Sequence, residues 1–166
     1  MTNLEIINSK ICTLETIKHK LNVWRFKDQK IVFTNGCFDI LHQGHVDYLS
    51  KAADLGNVLI LGLNSDSSTN KLKGPNRPIN DEHSRAMIIA SLRFVDAVVL
   101  FDEPTPYNLV NFIQPDILVK GADYTVEQIA GSDIVLAKGG KVITIELLPG
   151  FSTSAIEARI KGSSNP

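Results

Sequence analysis

The run Val58-Leu59-Ile60-Leu61-Gly62-Leu63 contains no polar residue. A strand of that kind is stable when both of its faces are covered, the situation of a parallel sheet enclosed by helices. Further apolar runs lie at residues 30–34, 97–101, 116–119 and 141–147, each separated from the next by a stretch with helical spacing or helix-start signals. Five strands alternating with helices predict a three-layer α/β/α domain with a five-stranded, mainly parallel sheet. Right-handed crossovers then gather the strand ends on one edge, and ligands of such sheets bind beyond the carboxyl ends of the strands.

Between these strands, Leu14, Ile17, Leu21 and Trp24 recur at helical spacing after Thr13, a suitable N-cap. Residues 1–29 are therefore expected to form an N-terminal helical extension, residues 30–161 the main domain, and residues 162–166 (Gly-Ser-Ser-Asn-Pro) a frayed tail. A helix is expected from Gly44 to Leu55, stopped by Gly56. Residues 64–80 are polar and read as one long loop. Asp81 can cap a helix to Arg93, and Thr105-Pro106 can open another. Thr125-x-x-Gln128 and Ser154-x-x-Glu157 have the form of capping boxes.

A chain of 166 residues is one ordinary domain, able to bury roughly 70% of its unfolded surface. With 17 Lys plus Arg against 18 Asp plus Glu, nothing suggests a nucleic-acid-binding face. No apolar run reaches the length of a membrane span. Met-Thr-Asn-Leu-Glu lacks the basic and apolar parts of a secretory signal, so a cytoplasmic location is expected. Cys12 and Cys37 do not suggest a disulfide framework. Cys37 has no orienting base in view and reads as a small packing residue.

The chemistry concentrates in Phe33-Thr-Asn-Gly-Cys-Phe-Asp-Ile-Leu-His-Gln-Gly-His45, a strand, a turn and a helix start. His42 and His45, three residues apart, share a helix face beside amides that have no partner within the helix, which suits a phosphate. Gly36 and Gly44 allow the backbone to approach a ligand closely. Zinc is disfavoured because a site needs three or four ligands, and His19 and His83 lack ligand spacing. Neither a Walker loop nor a Gly-x-Gly-x-x-Gly turn occurs, which argues against a conventional NTPase or a nicotinamide dehydrogenase.

The residues Gly36, Phe38, Asp39, His42, Gly44 and His45 resemble the Gly-x-Phe-Asp-x-x-His-x-Gly-His hallmark of the cytidylyltransferase-like nucleotidyltransferases, which implies a Rossmann-like domain. Gly150-Phe151-Ser152-Thr153-Ser154 is similar to the family's Ser/Thr cluster at the start of the last helix. Phe-Thr-Asn-Gly-Cys-Phe-Asp, Leu-Asn-Ser-Asp, Leu-Lys-Gly-Pro-x-Arg-Pro-Ile-Asn and Val-Lys-Gly-Ala-Asp-Tyr-Thr resemble the adenylyltransferases that make ADP-heptose, over residues 30–160, with the first 29 outside the likeness. The resemblance implies transfer of AMP from ATP to D-glycero-β-D-manno-heptose 1-phosphate, for bacterial surface polysaccharide, by a stand-alone enzyme without the sugar kinase to which this domain is often fused.

It further implies His42, His45, Lys71 and Arg85 as catalytic cations. Asn35, Gly36, Cys37, Phe38, His42, Gly44, His45, Lys120, Gly121, Ser152, Thr153 and Ser154 are expected around the nucleotide. Asn64, Asp66, Lys71, Arg77, Asp123 and Tyr124 are expected around the sugar phosphate. Asp39 is expected to fix the turn rather than act as a base, because an attacking phosphate is already anionic. Mg2+ should arrive with ATP, no dedicated protein metal site is expected, and similar enzymes form homodimers or larger assemblies. The alternatives are a cytidylyltransferase acting on glycerol 3-phosphate or a related alcohol, and a non-catalytic nucleotide-binding regulator. Against the former, the glycerol-phosphate group carries an arginine where this chain has Leu147.

Overall fold

Alternation of buried side chains along the strands sets the layers in the computed structural model, which describes residues 1–162. Successive side chains on a strand point to opposite faces. Ile31 and Phe33 of β2 (Ile31–Gly36), with Val58 and Ile60 of β3 (Val58–Asn64), pack on one face of the sheet. They meet Ile17 and Leu21 of α2 (Leu14–Phe26), Leu109, Val110 and Ile113 of α6 (Tyr107–Ile113), and Val135 of α7 (Ser132–Ala137). Val32, Leu59, Leu61 and Leu63 point the other way, onto α3 (Gln43–Ala53) and α5 (Glu82–Ala90). Burying each large aliphatic side chain stabilises the fold by about 1.5–3 kcal/mol, so these two clusters hold the three layers together.

Among the described residues the sheet has six strands, all parallel, in the order β1-β4-β3-β2-β5-β6. Here β4 is Ala97–Phe101, β5 Ile117–Gly121 and β6 Lys141–Ile145. The expected five strands are thus joined by β1 (Ile11–Cys12), which pairs with the β4 edge after a short helix α1 (Asn3–Lys10). Two residues carry no period-2 signal, which is why β1 cannot be read from the sequence. The stretch expected to be a helical extension therefore contributes a strand to the sheet, and α2, capped by Thr13 as expected, contributes Ile17 and Leu21 to the core.

A second correction concerns residues 64–80, which are not one loop: α4 (Asp66–Lys73) occupies half of them. Ser65 caps it by accepting the Ser68 amide at 3.0 Å, and the buried Ser68 and Asn64 side chains hydrogen bond at 3.0 Å. The residues it buries, Ser68 and Thr69, are small and polar, so no apolar stripe betrays it. Asp81 caps α5 as expected, although the helix ends at Ala90. Gln128 accepts from the Thr125 amide at the start of a short 3-10 turn rather than an α-helix. The final helix, α8 (Thr153–Gly162), is capped by Ser152, which accepts from the Ala155 amide, and not by Ser154. Beyond Gly162, the expected frayed tail lies outside the described residues.

Chain order reverses direction at β2, with β3, β4 and β1 on one side and β5 and β6 on the other. Connections leaving the carboxyl ends of β2 and β5 diverge there and leave a crevice.

Candidate active site

That crevice is a cavity of about 640 Å³. Asn35 and Gly36 close β2 on one wall, Lys120 and Gly121 close β5 on another, and Ser152, Thr153 and Ser154 face them from the start of α8. His42, Gly44 and His45 form the mouth of α3, and Asn64, Asp123 and Tyr124 also line the cavity. Cys37 and Phe38 complete the lining, and Cys37 is a free, buried thiol.

Local geometry explains how the histidines are aimed. The turn after β2 places Phe38 in the left-handed region at φ 45°, a costly conformation for an aromatic residue. It brings the Phe38 ring edge-on to His45, with centroids 5.1 Å apart. His42 is the N-cap of α3 but makes no side-chain capping bond, leaving its ring free to stack on His45 at 3.7 Å and 17°. A Cβ on Gly44 would lie 3.1 Å from the His42 ring and 3.0 Å from the Phe151 Cβ, so glycine is needed for both to close on the helix mouth. The Tyr48 hydroxyl of α3 bonds to the buried Thr34 of β2 at 2.8 Å and fixes the helix against the sheet.

Burial disfavours the charged forms of the basic groups that line the cavity. Burial, the neighbouring His42 and Lys73 hold the His45 imidazole down at about 4, and burial lowers His42 as well. Both rings are therefore neutral near pH 7 until a negative ligand arrives. Nδ1 of each ring and Oδ1 of Asn35 are buried with no hydrogen-bond partner among the described residues. Burial also draws the Lys120 ammonium down to about 8, against the opposing pull of Asp123. Its Nζ makes a long 3.4 Å bond to the Asn35 carbonyl and stands 5.4 Å from the Tyr124 ring centre, with no carboxylate in ion-pair range among the described residues.

Four expected site residues do not line the cavity. Lys71 sits on another side of α4, near Asp102, because residues two apart on a helix differ by about 200°. Lys73 lines the cavity instead, and once Ser65 is recognised as a cap the helical phase selects it. Arg85 is buried, and its guanidinium is engaged in structural bonds. It donates to Asn80 O at 3.0 Å, Cys37 O at 2.6 Å, Asn64 O at 2.9 Å and Asp66 Oδ1 at 2.7 Å. Asp66 is occupied by that contact, so the pair ties α4 and α5 to the ends of β2 and β3. Arg77 bridges Asp39 and Glu157 and lies outside the cavity lining.

Asp39 has the structural part expected of it. Its carboxylate accepts from the Ile79 amide at 2.8 Å, the Asn80 amide at 3.0 Å and Arg77 at 2.6 Å. Burial works against the charge, yet these donors outweigh it and hold the carboxyl below its ordinary value. Tyr48, Leu72, Pro104, Thr105, Pro106 and Gln128 also line the cavity without a motif to announce them, since the fold alone brings them there.

Residues 33–161 match the family model described as cytidylyltransferase-like. The chain is 51% identical over 147 residues to the bifunctional protein HldE of Methylobacillus flagellatus, covering 89% of this chain and 30% of that protein. It is 57% identical over 141 residues to HldE of Campylobacter jejuni subsp. doylei, covering 85% and 30%. With HldE of Rhodospirillum rubrum the similarity covers 95% of this chain and 32% of that one at 48% identity, so it reaches into residues 1–29. The chain thus spans about three tenths of the length of these curated relatives. Among solved structures, a lipopolysaccharide core biosynthesis protein from Thermoplasma volcanium superposes with TM-score 0.57 at 31% identity, covering 72% of this chain and 97% of that one. A pantoate-beta-alanine ligase from Francisella tularensis shares the fold at TM-score 0.61, with 20% identity over 91% of this chain and 76% of that one. With its family model matched over most of the sequence and its histidine pair at the expected crevice, the chain belongs to the cytidylyltransferase-like family.

Proposed function

We propose that this chain is an adenylyltransferase that moves AMP from ATP to D-glycero-β-D-manno-heptose 1-phosphate, for bacterial surface polysaccharide. An oxygen of the sugar phosphate attacks the α-phosphorus, the bond from that phosphorus to the bridging oxygen of the β-phosphate breaks, and pyrophosphate leaves with the bonding electrons. The products are ADP-heptose and pyrophosphate, and no group on the protein is covalently modified. The nucleophile is already an anion, so the work left to the protein is alignment and charge stabilisation.

The observation that carries this reading is the stacked, half-buried imidazole pair with unpartnered Nδ1 atoms at a helix mouth, in a cavity that a hydroxyl-bearing helix start also lines. His42 and His45 donate to the α-phosphoryl oxygens, and Ser152, Thr153 and Ser154 with the α8 amides take the β- and γ-phosphates. Lys120 and Lys73 add positive charge. Asn35, with its free Oδ1 and its place at the end of β2, orients the nucleotide. Asn64, Asp123 and Tyr124, which also line the cavity, are assigned to the sugar phosphate.

Magnesium fits as a companion of the triphosphate. Asp123 is the carboxylate that lines the cavity, and the described residues hold no cluster of three or more metal-ligating side chains. An ion held mainly by phosphates and water suits such a donor set and neutralises charge on the leaving pyrophosphate.

Leu147 lines the cavity where the glycerol-phosphate cytidylyltransferases carry arginine, which supports the sugar-phosphate reading over that alternative. Similarity to a lipopolysaccharide core biosynthesis protein supports a product used in surface saccharides. A cytoplasmic site of action accords with a nucleotide substrate, and no helix among the described residues is long and apolar enough to cross a membrane. Assembly into a homodimer or larger oligomer belongs to the same proposal.

The test is pyrophosphate release from each nucleoside triphosphate with a panel of sugar and polyol phosphates. Turnover of ATP with heptose 1-phosphate is expected. Preference for CTP with glycerol 3-phosphate, or tight ATP binding without turnover on any acceptor, overturns the reading.

A further inference from the structure

Arg77 lies outside the cavity, yet it joins the two segments that face each other across it. Its Nη1 donates to Asp39 Oδ2 at 2.6 Å, and its Nη2 to Glu157 Oε1. Asp39 belongs to the turn that delivers the histidines, and its side chain is 0% exposed. Glu157 lies one turn beyond the hydroxyls that open α8. No residue of α8 is buried, so the helix is not seated by a core-facing apolar stripe. Polar bridges that reach a helix without that stripe contribute to its placement, alongside the packing of Phe151 at Gly44. With Arg77 14% and Glu157 24% exposed, this bridge is partly shielded from water, and its attraction exceeds that of an open surface pair.

We infer that Arg77 is a positioning residue: the Asp39–Arg77–Glu157 bridge holds the Ser152–Ser154 end of α8 at the correct distance from His42 and His45, and so sets the grip on the triphosphate tail. The inference rests on the nucleotide reading above and assigns Arg77 no contact with either substrate. It explains why a cation in the loop after α4 points away from the cavity toward two carboxylates. It also predicts a selective defect. A displaced α8 loses contact with the β- and γ-phosphates, whereas AMP, which lacks both, keeps every contact it has.

The experiment measures equilibrium binding of ATP and of AMP, with Mg2+ present, to wild type, Glu157→Ala, Arg77→Ala and the double variant, together with amide hydrogen exchange over residues 153–162. Glu157→Ala leaves the part-buried Asp39–Arg77 pair in place and is the variant least able to disturb folding. It is expected to weaken ATP about 3- to 10-fold, to leave AMP within about twofold, and to speed exchange in α8. Steady-state KM for ATP rises with it while kcat at saturating ATP holds, the pattern of lost ground-state binding. The double variant is expected to bind ATP no more weakly than Arg77→Ala, because both substitutions break one bridge.

Equal loss of ATP and AMP, additive losses in the double variant, or wild-type ATP affinity in Glu157→Ala overturns the inference. Failure of wild type to bind ATP instead removes the proposed function. Even then, unchanged α8 exchange in Glu157→Ala overturns the bridge by itself.

Discussion

Acid should unfold this protein partly through His45, and the size of that effect follows from the site. The imidazole lies at about 4 in the folded chain against an ordinary 6.5, with burial the largest cause. Between those two pH values the unfolded chain carries a proton at this position and the folded chain does not, so stability rises with pH across the window and falls as the solution is acidified. At about 1.36 kcal/mol per unit of pKa, the full span corresponds to about 3.4 kcal/mol. Partial access of water to the ring reduces the expectation to about 2 kcal/mol. Urea unfolding at a series of pH values from 7 to 4, on wild type and His45→Gln, isolates this contribution, since other acid-sensitive groups are common to both. Wild type should lose about 2 kcal/mol more than the variant on acidification. Parallel curves would show that His45 is not held neutral by its surroundings, and the account of how the empty site is prepared would be wrong. The same reasoning gives ATP the opposite effect: its phosphates favour the imidazolium, so binding near pH 6 should take up protons, measurable by calorimetry in buffers of different ionisation heat.

Arg85→Lys should cost about 3 kcal/mol of folding stability, because it breaks a buried, partnered guanidinium. Activity recovered at low temperature would fit a strut, whereas full stability with lost turnover would restore its role as a catalytic clamp. In Gly44→Ala the new methyl must push aside the His42 ring or Phe151, and kcat/KM for ATP should drop by about 100-fold with little change in the urea midpoint. Wild-type kinetics would mean the ring position is not critical. Lys120, drawn down to about 8, should react with amine-directed reagents at pH 8 faster than an ordinary lysine. ATP should protect it, as peptide mapping would reveal, and labelling indifferent to ATP would place Lys120 outside the nucleotide site.

How much of this could be read from the sequence depends on the range of the contacts involved. Ala97–Phe101 is legible to the residue because an apolar run bounded by polar residues needs no other information. The histidine pair is legible because a helix N-cap and the residue three positions on come together at the helix start. β1 and α4 are not, one being too short to show a period and the other turning small polar residues, Ser68 and Thr69, to the interior. Arg77 and Arg85 mislead for a related reason. Composition shows a cation in a polar segment, but Asp39 and Cys37 meet them from 38 and 48 residues away, and only the folded chain decides whether a charge faces a ligand or a carboxylate. Helical phase likewise puts Lys73, and not Lys71, in the cavity lining.

The most direct measurement is a crystal structure of the protein with ATP and magnesium. The account predicts α-phosphoryl oxygens within hydrogen-bonding reach of both imidazoles, about 2.7–3.2 Å from a ring nitrogen, with the triphosphate tail on Ser152–Ser154. An α-phosphate seated away from His42 and His45 would contradict it.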